Sequence, residues 1–142
     1  MHNHMELTFS AVAQNEAFAR MVISAFLMQA NPTLTVISEV RTAVSEAVTN
    51  AVVHAYGAQG GNIVLRATLS GSRVDVEVED FGCGIADIDQ AMQPFYTSQP
   101  DTERTGMGFV LMQSFMDTLS VHSAAGNGTI VKMSKSLEEQ PS

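Results

Sequence analysis

Three groups of residues in this chain have types and spacings that can do chemistry. Glu46, Asn50 and His54 recur at intervals of four, so a helix would stack them along one side. A carboxylate there can take a proton from a hydroxyl or a water. An Asn oxygen is a hard ligand suited to Mg²⁺, which keeps water and phosphate oxygens in its other positions. Asp80-x-Gly82-x-Gly84 joins an acceptor for an exocyclic amine, such as that of adenine, to glycines that let a ligand approach the backbone. Thr105-Gly106-Met107-Gly108 has the composition of a helix start whose N–H groups cradle phosphate, and Arg104 just before it suits a terminal phosphate. Each group also has a plainer reading: the wet face of a surface helix, an Asp/Gly turn, and a helix N-cap. Taken singly, the spacings leave both readings open.

Several related motifs are excluded. Asp80-Phe81-Gly82 spells the metal-binding triplet of eukaryotic-type protein kinases, but no Val-Ala-x-Lys strand or His-Arg-Asp loop accompanies it. Thr105–Gly108 is not followed by the Gly-Lys-Ser/Thr of a Walker A loop, and no strand leads directly into it as in a dinucleotide fingerprint. Cys83, in the glycine turn, reads as a small filler rather than a nucleophile, with no base identifiable beside it. Glu16 and Arg20 are spaced for a solvated i,i+4 ion pair. His2 and His4 are expected in a mobile N-terminus without a metal role. Gly128-Thr129 reads as a hairpin whose hydroxyl can also face a ligand.

The elements that must position these groups follow from periodicity. Met5, Leu7 and Phe9 alternate with polar residues and predict a strand over about residues 5–12. A helix is expected from about 15 to 29, with Phe18, Val22 and Phe26 facing inward, stopped by Asn31-Pro32. A second helix, about 35–55, buries Val40, Val44, Val48 and Ala51 and ends in the glycines from Gly57 to Gly61. Ile63 to Leu69 and Val74 to Val78 read as a hairpin around Ser70-Gly71-Ser72, with Asp75, Glu77 and Glu79 on a wet face. From 81 to 107 periodicity is lost, and so long a stretch inside a small domain is usually functional. Helix resumes near Gly108, and two strands, about 118–124 and 129–135, flank Gly126-Asn127-Gly128. The tail from Glu138 is polar and expected to fray. This order predicts an α+β, two-layer sandwich with helices on one face of a sheet.

The bulk composition bounds the function. At 142 residues and 45% hydrophobic the chain suits one domain with a single core. A formal charge of -8 argues against non-specific nucleic-acid binding, which needs clustered Lys and Arg. A bound polyphosphate must therefore be held by backbone N–H groups, a metal and few cations. The lone cysteine excludes an internal disulfide and a Cys-rich zinc site. With no apolar run of membrane-spanning length and no leader pattern, a soluble cytoplasmic protein without membrane contact is expected.

Glu46-Ala-Val-Thr-Asn50, Asp80-x-Gly82-x-Gly84, Gly106-Met-Gly108 and Gly128-Thr129 resemble the N, G1, G2 and G3 boxes of the GHKL (Bergerat-fold) ATPase and kinase superfamily, over residues 5–135. Within it, the chain is most similar to the anti-sigma F factors of spore-forming bacteria. Val44 to Ala51, Pro94-Phe-Tyr-Thr97, Glu103 to Phe109, and Phe9-Ser-Ala11 with Asn15 to Arg20 carry that likeness.

The resemblance implies a single Bergerat-fold domain with a mixed, mostly antiparallel sheet. It also implies an ATP- and Mg²⁺-dependent protein serine kinase of sporulation that sequesters sigma F, phosphorylates an anti-anti-sigma factor and acts as a homodimer. Glu46 would be the general base, Asn50 the Mg²⁺ ligand and Asp80 the acceptor for the adenine amine, with Gly82 and Gly84 letting the ring approach. Thr129 would support the adenine directly or through water. Residues 94–108 would form a lid, placing Arg104, Thr105, Gly106, Met107 and Gly108 on the phosphates. His54 and Thr97 are further nucleotide contacts and Arg20 a partner contact in that reading. The boxes alone also admit a stress-response anti-sigma B type kinase, or a nucleotide-gated sigma-binding module without significant transfer.

Overall fold

The computed structural model describes residues 1–55, 60–83, 108–123 and 126–138. Among them, five strands form one sheet: β1 (His2–Ser10), β2 (Asn62–Ser70), β3 (Arg73–Asp80), β4 (Thr118–Ser123) and β5 (Thr129–Ser136), in the order β1-β2-β3-β5-β4. Three α-helices accompany it: α1 (Gln14–Met28), α2 (Leu34–Asn50) and α3 (Gly108–Phe115). A π-helical turn, Ala51–Ala55, continues α2.

All four strand pairings among the described residues are antiparallel, where the family likeness implied a mixed, mostly antiparallel sheet. The β2–β3 and β4–β5 hairpins meet through β3 and β5, and β1 adds an antiparallel edge. Period-two alternation gives the sheet two unlike faces. Leu7, Phe9, Ile63, Leu65, Leu69, Val74, Val76, Val131 and Met133 turn to the helices. The other face carries a ladder of opposed charges in one row: Glu6, Arg66, Glu77 and Lys132. Arg66 bonds Glu6 at 2.9 Å and Glu79 at 2.8 Å. These solvated pairs fix a wet face and contribute little to stability.

The first strand begins earlier than its apolar alternation indicates. His2 and His4 pair with Ser70 and Thr68 of the long β2, and the Gly71 N–H donates to Met1 O at 2.9 Å, so this segment is part of the sheet. The strand ends at Ser10, whose carbonyl accepts from Asn15 Nδ2 at 2.9 Å and so ties β1 to the start of α1.

Helix α1 buries Ala19, Ile23, Phe26 and Leu27, one stripe at helical spacing. Phe18, expected inward, is 46% exposed. It precedes the buried stripe by one residue and is exposed, as are Met21 and Met28 further along the helix. The turn after α1 passes through Asn31 at φ 57°, the left-handed conformation Asn tolerates, and Pro32 prevents continuation.

Thr33 caps α2: its backbone is extended, and its hydroxyl oxygen accepts from the Val36 N–H at 3.2 Å. Val36, Val40, Ala43, Val44, Ala47 and Val48 form the buried side of α2. Helices α1 and α3 both pack against α2, which makes it the central helix of the layer. The predicted α-helix to about 55 is corrected in its last turn, where the backbone widens to π geometry. Such turns recur at functional sites.

Candidate functional site

The last register row on the helix-facing side of the sheet changes from apolar to polar as it crosses the strands. Phe9 pairs with Ile63, Ile63 with Asp80, Asp80 with Thr129, and Thr129 with Ser123. Phe9 and Ile63 belong to the core, whereas Asp80 and Thr129 are polar yet only 7% exposed each. A carboxylate buried at a strand end must find donors. Asp80 finds the Gly82 N–H, at 3.0 Å to Oδ1, and the backbone N–H of Thr129.

Burial nevertheless dominates and pushes the Asp80 carboxyl above the ordinary Asp value. The two N–H bonds oppose that shift, and the Glu79 charge adds to it. Tight backbone packing holds the carboxylate in place. Gly128, at φ 80°, lies so close that a β-carbon there would be 2.3 Å from the Asp80 carbonyl oxygen. The Gly126 N–H donates to Cys83 O at 2.6 Å, joining the β4–β5 turn to the chain that leaves β3.

The π turn closes the third side of this end. It packs on β3, and the His54 carbonyl accepts from the Cys83 thiol at 3.2 Å. His54 itself is half-buried there. Cys83 is exposed, and its thiol links the glycine turn to the π turn rather than filling a void.

Asn50 and Glu46 lie one and two turns back along α2, both half-buried. The start of α3 comes against them. A β-carbon on the buried Gly108 would be 3.2 Å from both Asn50 amide atoms and 3.4 Å from Glu46 Oε2. The helix start, the amide and the carboxylate therefore share one small volume, where N–H groups, a hard oxygen ligand and a proton acceptor can act together. Among the described residues, no group of three or more His, Cys, Asp or Glu could hold a metal ion. The donor set fits a Mg²⁺ ion held by one protein oxygen, with phosphate and water completing its shell.

The structure thus brings together Glu46, Asn50 and Gly108 at one end and Asp80, Gly82 and Thr129 at the other. Gly84, Thr97, Arg104, Thr105, Gly106 and Met107, with the rest of the 94–107 stretch, lie outside the described residues, and of the expected 94–108 segment only Gly108 is described. Arg20 stands apart on α1, half-exposed, with Nε 2.9 Å from Glu16 Oε1, which confirms the expected ion pair. Glu16 Oε1 also accepts from the Ser45 hydroxyl, so the pair is anchored to α2. Ser123 is the residue the sequence reading missed. Counting outward from the Gly126–Gly128 turn pairs it with Thr129, the only signal available for it.

The family model described as histidine kinase-like ATPase domain matches residues 9–135. A protein of Thermoanaerobacter sp. (strain X514) named anti-sigma F factor is 50% identical over 133 residues, 94% of this chain and 93% of that one. Proteins of the same name from Clostridium acetobutylicum and Bacillus licheniformis are 47% and 43% identical, over 95% and 98% of this chain and 94% and 96% of theirs.

Two solved structures share the fold. One holds the RsbU and RsbW domains of Rv1364c from Mycobacterium tuberculosis, at TM-score 0.71 and 20% identity. The match covers 97% of this chain but only 33% of that chain. The other is the histidine kinase domain of a blue-light activated histidine kinase from Erythrobacter litoralis EL346, at TM-score 0.56 and 24% identity over 86% of this chain and 60% of that one. A family-model match over nearly the whole length, with relatives of 43–50% identity, places the chain in the histidine kinase-like ATPase family, among the proteins named anti-sigma F factors.

Proposed function

We propose that this chain is an ATP-dependent protein serine kinase of sporulation that also holds sigma F, and that it phosphorylates the anti-anti-sigma protein competing for it. The observation that carries the reading is Glu46 Oε2 and the Asn50 amide lying against the start of α3. A pocket that only sensed nucleotide would need no proton acceptor beside the phosphates. In the proposed reaction the substrate serine oxygen attacks the γ-phosphorus and Glu46 accepts the serine proton. The bond from that phosphorus to the bridging oxygen breaks, and ADP leaves with the electron pair. Asn50 would hold Mg²⁺, which neutralises phosphate charge when bound. Asp80 would take the adenine amine, supported by Thr129, with Gly82 and Gly84 lining the approach.

Residues 94–108 are proposed as the lid, with Arg104, Thr105, Gly106, Met107 and Gly108 on the phosphates and His54 and Thr97 as further contacts, all within one domain of 142 residues. For the protein partners, the support is α1. Phe18, Met21 and Met28 are 46%, 72% and 65% exposed, an apolar surface that soluble proteins rarely leave uncovered. A homodimer and sigma F are its proposed occupants, with Arg20 beside it as a contact. No helix among the described residues is long and apolar enough to cross a membrane, which suits the proposed cytoplasmic site of action.

The direct test incubates the protein with Mg²⁺-ATP and a small anti-anti-sigma protein, and follows the partner's intact mass. One added phosphate on serine is expected, together with ATP-dependent capture of sigma F. Capture without transfer would favour the nucleotide-gated clamp, and capture of sigma B instead would favour the stress-response kinase.

Two further outcomes follow from the geometry. Gly108→Ala puts a methyl group against Asn50 at a separation tighter than ordinary contact, so the amide must yield by a few tenths of an ångström. Mg²⁺-ATP affinity should fall on the order of 10-fold while the melting temperature stays nearly constant, because small misplacements at a reacting centre are costly and Ala suits a helix. Calorimetric titration beside a thermal melt reads both.

The second outcome is a pH effect. Asp80 accepts the amine best when ionised, and burial holds its carboxyl above the ordinary Asp value, so ATP affinity should decline on acidification at a higher pH than an ordinary Asp would require. The apo protein should respond in the opposite sense. A raised folded-state pKa means the folded state binds the proton more tightly. Asp80's contribution to stability is then greatest below its unfolded value and is lost as pH rises through the folded one. Asp80→Asn should weaken ATP binding and flatten both pH trends, and unchanged ATP binding by this variant would remove Asp80 from the adenine site.

A further inference from the structure

We propose that Ser123 is a positioning residue that sets the polarity of the base pocket: it fixes the Thr129 hydroxyl as an acceptor towards the ligand, so the pocket selects a 6-amino purine over a 6-oxo purine. The proposal rests on the reading above, that the Asp80–Thr129 end holds the base.

Ser123 Oγ is 2.9 Å from the Gly128 carbonyl oxygen and 2.7 Å from Thr129 Oγ1. A carbonyl cannot donate, so the Ser123 proton must go to Gly128 O. Ser123 then has only lone pairs left for Thr129, and the Thr129 proton must point to Ser123. Any other arrangement leaves two oxygens face to face without a hydrogen. The relay runs Thr129 to Ser123 to Gly128 O and ends on a backbone atom that close packing against Asp80 holds fixed. Thr129 is 7% exposed and Ser123 half-buried, so bulk water does not readily scramble the order.

The outcome at the base is definite. Thr129 presents lone pairs only, and Asp80, its register partner on β3, presents a carboxylate. Two neighbouring acceptors match the two N–H donors of an exocyclic amine. They oppose a 6-oxo group, which brings lone pairs to lone pairs. A water bridging Thr129 to the ring keeps the same sense: it gives one proton to Thr129 and the other to a ring nitrogen that is an acceptor in adenine but carries hydrogen in hypoxanthine. Without Ser123, the Thr129 hydroxyl can rotate and donate to the oxo group.

The probe is ITP, which differs from ATP in carrying oxo for amino. The intact protein should prefer ATP by about 100-fold or more, the scale on which sites built for hydrogen bonds reject the wrong partner. Ser123→Ala should cut that ratio by about 10-fold, mainly by improving ITP binding, because unmatched buried polar groups are what enforce rejection. Ser123→Thr keeps a hydroxyl on a strand and should retain the ratio. In a Thr129→Val background, Ser123→Ala should change the ratio no further.

Equal weakening of ATP and ITP in Ser123→Ala, or an unchanged ratio, overturns the proposal, since a merely structural serine would do one or the other. Failure of the base-site reading looks different: Asp80→Asn would then bind ATP normally and the intact protein would not distinguish ATP from ITP.

Discussion

Replacing Glu46 with Gln is expected to slow phosphoryl transfer to the proposed anti-anti-sigma substrate by ~10²–10⁴-fold, the usual contribution of a positioned general base, the role proposed for Glu46. That range corresponds to about 3–5 kcal/mol of transition-state stabilisation. Gln has the shape of Glu and keeps one carbonyl oxygen, so Gly108 and Asn50 retain their neighbour at nearly the same position. What Gln lacks is a basic oxygen to receive the serine proton. ATP affinity should stay within about 2-fold or rise slightly, because a carboxylate beside phosphates repels them in a site of low dielectric constant. Sigma binding in the presence of ATP should persist, and that separation is the useful part. Loss of transfer with capture intact divides the two activities at one atom. The variant's single-turnover rate, read from the partner's mass, checks the first half, and a pull-down with ATP checks the second. Transfer at the unaltered rate would mean that the serine proton leaves by another route and that Glu46 serves only to position.

The elements of the fold were largely legible because each rests on a local pattern. Alternation marked β2 and β3, the Ser70-Gly71-Ser72 turn joined them, and Asn31-Pro32 ended α1 where Asn31 adopts positive φ. The departures have non-local causes. β1 extends back to His2 because β2 offers partners as far as Ser70, and nothing in the first four residues announces that. Phe18 was assigned inward on the four-residue spacing it shares with Val22 and Phe26, although the buried stripe runs through Ala19, Ile23, Phe26 and Leu27. The π turn at Ala51–Ala55 has no signature in an apolar, helix-compatible segment. It becomes intelligible only beside Cys83, whose thiol meets the His54 carbonyl.

Legibility of the site divides in the same way. Glu46, Asn50 and Asp80 were singled out as candidates because their residue types are unusual where they stand, a carboxylate at a strand end and polar groups beside an apolar helix stripe. Proximity could not be read from spacing: Gly108 touches the Glu46–Asn50 face only through the packing of α3 on α2. Ser123 was missed because serine in a surface strand is ordinary. Its significance comes from lying opposite Thr129 and within reach of Gly128 O at once.

Gly128→Ala should produce the largest loss of stability among single substitutions around the site. The added carbon would lie 2.3 Å from the Asp80 carbonyl oxygen, 2.9 Å from Phe81 Cα and 3.1 Å from the Asp80 carbonyl carbon. All three are backbone atoms, so no side-chain rotation relieves the contact and β3 must separate from the start of β5. The left-handed backbone at φ 80° adds a penalty of about 1–2 kcal/mol for a residue with a β-carbon. Overpacking contributes about 1–3 kcal/mol more. Together they imply a melting temperature lower by on the order of 10 °C in a domain of this size. Gly126→Ala is the internal control. Its φ of 83° carries the same backbone penalty, but a β-carbon there meets nothing within 4 Å. It should lose only about 1–2 kcal/mol, the backbone share alone. Function should follow the same division. Separating the two strands moves Asp80 relative to Thr129, so Gly128→Ala should lose most of its thermal stabilisation by saturating ATP, while Gly126→Ala keeps it. Equal melting temperatures for the two variants would show that the turn relaxes freely, and that the Asp80–Gly128 contact does not hold the base end of the site together.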